Sequence, residues 1–223
     1  MCIRDSYRNY LKTKEASKES INSIAIINIL GPIVDGDQAF GVASGNNISS
    51  LINKVIENES IKALVLRINT PGGSVFASEL IRDALLRLKD KKIPIVTSMG
   101  GVAASGGYWV ASSTDYIYAE NLSITGSIGV ASVIFNAEET YNKIGLNEDG
   151  VSLSVFSDTN KVIYSQKPDD RLIKLNKLTI KNIYEKFIDV VSKGRNLSTQ
   201  KVNNIAKGQV WVSKDALRLN LID

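Results

Sequence analysis

The 223-residue sequence contains no histidine and one cysteine, Cys2. The absence of histidine excludes a Ser-His-Asp triad and every metal site that depends on imidazole ligands. A single cysteine excludes an internal disulfide and a thiolate metal cluster. A serine nucleophile in this protein would therefore need a different base, and lysine is the usual substitute when burial favours its neutral form.

Long apolar runs and dense charge are also missing. No apolar run reaches the roughly 18–20 residues needed to cross a bilayer, and no signal peptide is visible. The net charge of +4 is small and dispersed, so no basic block or aromatic–basic stripe predicts binding to nucleic acid. Apolar residues make up 43% of the chain and charged residues 22%, which is typical of a globular protein with one substantial core.

Two segments precede the predicted domain. Residues 1–6 (MCIRDS) do not resemble the start of a fold, and we interpret them as an artefact. Residues 7–23 are polar and charged without a clear period, which predicts a linker or a helical lead-in. The remaining residues, 24–223, are predicted to form one domain.

Strands alternate with helices through the first half of that domain. Apolar runs predict strands at 24–30, 61–69 and 93–99, and helical spacing predicts helices after Asn47 and over 75–89. This alternation predicts an α/β fold with right-handed crossovers. A Gly-Gly turn is predicted after two of the strands, at Gly72-Gly73 and at Gly100-Gly101. The nearly continuous apolar run at 61–69 is typical of a strand that is covered on both faces.

The second half gives shorter elements and one uninformative segment. Residues 147–161 are polar and support no assignment. Elsewhere we predict two strands, at 115–119 and 210–212. We also predict four helices: at 137–144, from Pro168 to about Gly194, one capped by Ser198, and a last one capped by Ser213.

The segment 100–109 (GGVAASGGYW) is the main candidate for a functional site. Small residues on both sides of Ser105 leave its hydroxyl uncovered and allow backbone N–H groups to approach its target. The pattern is close to the G-x-S-x-G nucleophile turn, with Ala103 in place of the first glycine. The local sequence leaves two interpretations open, a nucleophile on a strand-to-helix turn or a packed Gly/Ala turn with an incidental serine.

Acyl transfer by Ser105 would require two N–H donors near the developing oxyanion. Gly106 follows the serine and would supply one donor. Gly72 or Gly73 could supply the other, because both follow a predicted parallel strand and the carboxyl ends of such strands share one edge of the sheet. Ser127, in a Gly-flanked turn, could orient an ammonium or relay a proton, or could be a turn residue without a function.

Three segments, in this order, resemble the signal peptide peptidase A family. They are NTPGGS at 69–74, SMGGVAASGGYW at 98–109 and TGSIG at 125–129, and GQVW at 208–211 also matches. The resemblance covers residues 24–223. It implies a crotonase/Clp-protease-like fold of repeated ββα units with C-terminal helices, and a bacterial membrane-bound serine protease that needs no cofactor or metal.

The same resemblance implies roles for four residues. Ser105 would be the nucleophile of a Ser/Lys dyad, and Ser127 would hydrogen-bond the lysine. Gly72 and Gly106 would form the oxyanion hole. The expected substrates are cleaved signal peptides and other extended hydrophobic chains at the membrane, on its periplasmic or outer side.

One feature departs from the short form of that family. There the lysine follows Ser127 in the same domain, whereas the corresponding segment here, 150–156 (GVSLSVF), contains no lysine. The chain therefore resembles the C-terminal, serine-bearing half of the long form. An N-terminal domain would supply the lysine and the membrane anchor, and the protein would be a homo-oligomer.

Two other functions remain open on the sequence. One is a non-proteolytic crotonase-like enzyme that acts on acyl-CoA thioesters through the same oxyanion architecture. Such enzymes usually carry a carboxylate in the site, and residues 99–110 contain none. The other is a scaffold half whose site has decayed.

Overall fold

A computed structural model describes residues 22–37, 41–134, 136–147, 153 and 170–223. Several sequence predictions fall outside these residues. They are the artefactual start at 1–6, the lead-in at 7–23 except for its last two residues, most of the segment 147–161, and the opening of the long helix at Pro168.

The described residues form a mixed α/β domain. Its strands are β1 (Ser23–Leu30), β2 (Ile33–Val34), β3 (Ala43–Ser44), β4 (Ile61–Thr70), β5 (Ile95–Ala104), β6 (Tyr116–Ala119), β7 (Ile124–Gly126) and β8 (Val210–Val212). Its helices are α1 (Gly45–Glu57), α2 (Val75–Asp90), α3 (Gly106–Ala111), α4 (Glu138–Lys143), α5 (Asp170–Arg195), α6 (Thr199–Ile205) and α7 (Ser213–Arg218).

The main sheet has the order β1-β4-β5-β7-β8, and β6 also pairs with β5. Its strands are parallel except for the antiparallel pair of β7 and β8. The short strands β2 and β3 form a separate parallel pair. The carboxyl ends of β4, β5 and β7 therefore meet at one edge. The sequence predicts this for β4 and β5, whereas β7 is not among the predicted strands. The α/β class is confirmed.

Helices cover one face of this sheet. The side chains of Leu64, Leu66 and Ile68 on β4 are fully buried beneath them. On the opposite face Val65 is half-buried, while Ile26 on β1 and Tyr118 on β6 are exposed. The prediction that both faces of the second strand are covered is therefore wrong for the described residues. Strand hydrophobicity alone does not distinguish one covered face from two.

The glycine pair at 100–101 does not turn the chain, and the predicted turn there is wrong. Strand β5 continues through both glycines to Ala104. The register between β4 and β5 slips at this point, from Ile68 opposite Met99 to Thr70 opposite Ala103. The Asn69 side chain fills the irregularity by accepting a hydrogen bond from the Val102 N–H at 3.1 Å. The bulge carries the strand onward to Ser105.

Two helix starts also differ from the prediction by a few residues. Ser44, and not Asn47, caps α1, with its hydroxyl accepting from the Asn47 N–H. The last helix begins at Ser213 itself, and its N-cap is Val212. Ser198 caps α6 as predicted. Such shifts arise because several polar residues near a helix start can serve as its cap.

Candidate active site

Ser105 occupies the sharp turn between β5 and α3. Its φ of 51° and ψ of −120° are rarely adopted by a residue with a side chain. This conformation costs on the order of 1–3 kcal/mol and is concentrated at functional sites. Hydrogen bonds fix it, because the Ser105 N–H donates to the Gly126 carbonyl at 2.9 Å and the Trp109 N–H donates to the Ser105 carbonyl at 2.9 Å. The hydroxyl does not cap α3, so it is available for chemistry.

Gly106 is packed too closely for any larger residue. A Cβ at this position would lie 2.4 Å from the Ser78 Oγ of α2 and 3.3 Å from the Gly73 nitrogen. A Cβ on Gly72 would lie 2.7 Å from the Ser105 Cβ. The structure thus brings the Gly72-Gly73 turn, Ser105 and Gly106 together at the end of two neighbouring strands.

The two glycines of the first turn differ in what their N–H groups do. The Gly72 N–H donates to the Thr70 Oγ1 at 3.0 Å. The Gly73 N–H has no acceptor among the described residues, and neither has the Gly106 N–H. Gly73 is held with a φ of 152° by a bridge to Ile33, whose carbonyl a Cβ on Gly73 would meet at 2.0 Å. The geometry favours Gly73 over the predicted Gly72 as the partner of Gly106.

Ser127 lies beside Ser105 at the end of β7. Its φ is 48°, and its N–H donates to the Gln209 carbonyl at 2.7 Å. The neighbouring Gly126 accepts from the Ser105 N–H, so the two serine turns are joined through the backbone. Two strained serines on adjacent turns favour the functional interpretation of both over the turn-residue alternative.

Both serines line a cleft of about 390 Å³, called here the Ser105 cleft. Its lining consists of Ser105, Ser127, residues 129–131, Tyr184, Lys207 and Gly208. The described lining contains no carboxylate. The acyl-CoA alternative would need one in the site. Across the described residues, no cluster of His, Cys, Asp and Glu could hold a metal ion.

No described lysine lies within hydrogen-bond distance of either serine hydroxyl. Lys143 is exposed on α4 and does not line the cleft. Lys161 lies outside the described residues. Lys207 lines the cleft, but it is exposed and makes no hydrogen bond to Ser105 or Ser127.

A network of charged residues packs against α3, the helix that follows Ser105. Trp109 is buried. Its Nε1 donates to a carboxylate oxygen of Glu79 on α2 at 2.7 Å, and its ring packs 4.7 Å from that of Phe187 on α5. Glu79 also pairs with Arg82 at 2.7 Å and with Lys186 at 2.8 Å. Lys186 therefore does not lie on a purely solvated helix face.

Glu79 should make the domain sensitive to acid. Burial by itself would raise the pKa of Glu79, but hydrogen bonds from Arg82, Lys186 and Trp109 outweigh it and lower the pKa from 4.5 to about 2. Because the folded pKa lies below the unfolded one, the stabilisation is present above about pH 4.5 and is lost as the pH falls towards 2. We expect Glu79→Gln to lower the free energy of unfolding at pH 7 by about 1–2 kcal/mol, after allowance for solvent screening.

Denaturant titration at pH 7, 4 and about 2.5, followed by tryptophan fluorescence, measures this effect. The difference between wild type and Glu79→Gln should shrink as the pH falls. Glu185→Gln is the matched control, because Glu185 forms an exposed pair with Lys181 on α5 and should change little. An equal difference at all three pH values would contradict the assignment.

Some lining residues could not be found by sequence reasoning. Tyr184 lies on a long amphipathic helix and Lys207 in a short turn, and neither belongs to a motif. Only the tertiary fold places them beside Ser105. In contrast, Gly73 has a sequence signal, since it is one of two glycines in a strand-to-helix turn.

Comparison with known proteins agrees with this geometry. A model of peptidase family S49 matches residues 87–223, and a Clp protease model matches residues 33–119. Over 219 residues the chain is 39% identical to Protease 4 of Haemophilus influenzae and 37% identical to Protease 4 of Salmonella typhi. It is 36% identical over 173 residues to the chloroplastic serine protease SPPA of Arabidopsis thaliana.

The extents of these similarities are unequal. The two Protease 4 alignments cover 98% of this chain but only 35% and 34% of the relatives. The alignment with the chloroplastic protease covers 77% of this chain and 25% of that protein. The chain thus spans about a third of the length of the Protease 4 relatives that it matches.

Proposed function

The chain belongs to peptidase family S49, and on that premise we propose that it is the serine-bearing part of a longer serine peptidase. Its fold is the crotonase/Clp-protease-like α/β fold. The proposed domain comprises residues 24–223. The difference in length from the Protease 4 relatives supports a further N-terminal domain, which would contribute to the same active site.

The observation that carries this proposal is the position of Ser105. Its hydroxyl stands on a strained turn that opens into the Ser105 cleft, and two N–H groups without acceptors among the described residues lie beside it, at Gly73 and Gly106. Such paired donors stabilise the oxyanion of acyl transfer because they are fixed before charge develops on the substrate. A packed structural turn would not need either feature.

The proposed reaction has two stages. The Ser105 Oγ attacks the peptide carbonyl carbon while a neutral lysine takes the hydroxyl proton, and the Gly73 and Gly106 N–H groups stabilise the oxyanion. The lysine then returns the proton to the leaving amine as the C–N bond breaks. Water then attacks the acyl-serine ester while the same lysine takes its proton. The lysine passes that proton to the Ser105 Oγ as the acyl C–O bond breaks, which releases the acid product and restores the serine.

The base is proposed to come from the N-terminal domain of the same protein. No described lysine reaches Ser105, and a lysine acts as a base near neutral pH only where burial disfavours its charge. Ser127 would hydrogen-bond the incoming amine and orient it towards Ser105.

The proposed substrates are extended hydrophobic peptides, including remnants of signal peptides. Residues 129–131 of the cleft wall are small or apolar and form no helix or strand. Such a wall suits an unfolded chain better than a folded partner. No helix among the described residues is long and apolar enough to cross a membrane. We propose that the protein acts at the extracytoplasmic side of a bacterial inner membrane, through an anchor outside residues 24–223, and as a homo-oligomer.

The experiment uses the full-length protein with its upstream region. It should cleave a synthetic hydrophobic signal peptide, and a fluorophosphonate probe should modify it once per chain at Ser105, as located by peptide mapping. Modification at a different serine, or cleavage without modification, would contradict the assignment. Coenzyme A should not bind, whereas binding of it would favour the acyl-CoA alternative.

A further inference from the structure

Lys207 lines the Ser105 cleft and lies in the turn that joins α6 to β8. The hydrogen bond from the Gln209 N–H to the Ala206 carbonyl, at 3.1 Å, closes this turn. Lys207 and Gly208 at its centre both have positive φ values, 58° and 74°. Two consecutive positive values define a type I′ turn.

The turn is fixed to the segment that carries Ser127. The Gly208 N–H donates to the Ile128 carbonyl at 2.9 Å, and the Ser127 N–H donates to the Gln209 carbonyl at 2.7 Å. A Cβ on Gly129 would lie 2.9 Å from the Gly208 Cα, so the two backbones are in direct contact. The position of Lys207 relative to the two serines is therefore set by the fold rather than by a mobile loop.

Lysine is an unfavourable residue at this point of the turn. Type I′ turns favour Asn, Asp and Gly at the first central position, because other side chains crowd the backbone at positive φ. The site nevertheless carries a long cationic side chain.

The charge of Lys207 is unopposed in the cleft. The other described lining residues are serine, glycine, valine, alanine and tyrosine. The Lys207 ammonium makes no hydrogen bond or ion pair with a described residue, and the side chain is exposed. This exposed and unpaired position suits Lys207 to attract an anion.

We propose that Lys207 is a specificity-determining residue that binds a carboxylate of the peptide held in the Ser105 cleft. This inference rests on the proposed peptidase function. The carboxylate can belong to an aspartate or glutamate side chain near the scissile bond, or to the C-terminus of a short peptide. An uncharged hydrophobic peptide would bind without this contact.

The first test measures binding without turnover, in the full-length protein with Ser105→Ala. Fluorescence anisotropy compares peptides of one hydrophobic sequence that differ only in charge. In the first pair, one peptide has an internal Glu and the other a Gln, and both C-termini are amidated. In the second pair, one peptide has a free C-terminal carboxylate and the other an amidated C-terminus. We expect the acidic member of at least one pair to bind about two- to five-fold more tightly, as an exposed ion pair allows. The pair that shows the preference identifies the source of the carboxylate.

Substitutions at Lys207 determine whether this residue is responsible. The preference should disappear in Lys207→Gln, persist in Lys207→Arg and reverse in Lys207→Glu. Lys201→Glu is the matched control, since it makes the same charge change on the adjacent α6, outside the cleft lining. It should keep the preference. Equal binding of both members of both pairs, persistence in Lys207→Gln, or no binding of any peptide would overturn the proposal.

Measuring peptide cleavage by the protein that retains Ser105 distinguishes the specificity role of Lys207 from a role as the general base. Lys207→Arg should still cleave the peptide, because an arginine keeps the charge but cannot act as a base. Loss of cleavage in Lys207→Arg with normal folding would make Lys207 the base and overturn the specificity role. Failure of the wild-type protein to cleave would count against the proposed function, whereas the binding result would still decide the role of Lys207.

Discussion

Replacing Ser105 by alanine in the full-length protein should lower kcat by about 10⁴-fold or more, because the covalent route is lost with the nucleophile. The fold should be retained. Alanine keeps the Cβ that already occupies the strained turn, and the hydroxyl makes no hydrogen bond with a described residue. The free energy of unfolding should therefore change by less than about 1 kcal/mol.

Peptide cleavage and fluorophosphonate labelling, each compared with wild type, measure this effect. Ser50→Ala is the control, because Ser50 is an exposed serine of α1 that does not line the cleft. The Ser50→Ala protein should cleave the peptide, and the probe should label it, both at wild-type rates. Equal labelling of Ser105→Ala and wild type would place the nucleophile elsewhere.

The second large effect is expected from the 223-residue chain in isolation. Without the proposed N-terminal domain, no described residue supplies a base beside Ser105. A general base contributes typically 10²–10⁴-fold, so cleavage should be slower by about that factor. The isolated chain should nevertheless fold, since its core around Leu66, Ile81 and Tyr108 is fully buried. The measurement is peptide cleavage by the isolated chain and by the full-length protein at equal concentration.

Adding the separately expressed N-terminal part should restore activity to the isolated chain. Near-ultraviolet circular dichroism guards against the trivial explanation that the isolated chain is unfolded. Robust cleavage by the isolated chain, abolished by Lys143→Ala or Lys161→Ala, would instead identify an internal base. That result would contradict the two-domain site while leaving Ser105 as the nucleophile.

The sequence by itself determined the longer strands, most of the helices and the family resemblance, but not the short strands β2, β3 and β7. A nearly continuous apolar run predicted β4, and capping residues predicted the starts of helices such as α6. Small residues around Ser105 and the Gly72-Gly73 pair pointed to the site, because tight turns leave a local signature of glycine, alanine and serine. The absence of histidine limited the base to lysine without reference to any fold.

The course of β5 could be decided only in three dimensions. Its extension through Gly100 and Gly101 depends on pairing with β4 and on the Asn69 side chain, which are contacts across the sheet. A pair of glycines is compatible with a turn or with a bulge, and local propensity does not separate them. The prediction of a turn at that point failed for this reason.

The tertiary structure also decided which groups share the cleft. Whether the N–H of Gly72 or that of Gly73 is left without an acceptor among the described residues depends on the Thr70 hydroxyl, which accepts a hydrogen bond from the Gly72 N–H. Lys207 lies 102 residues beyond Ser105 in the chain (207 − 105) and carries no motif. It reaches the cleft because antiparallel pairing of β7 with β8 brings its turn against Ser127. Contacts between residues so distant in sequence are set by packing of whole elements, and local sequence does not encode them.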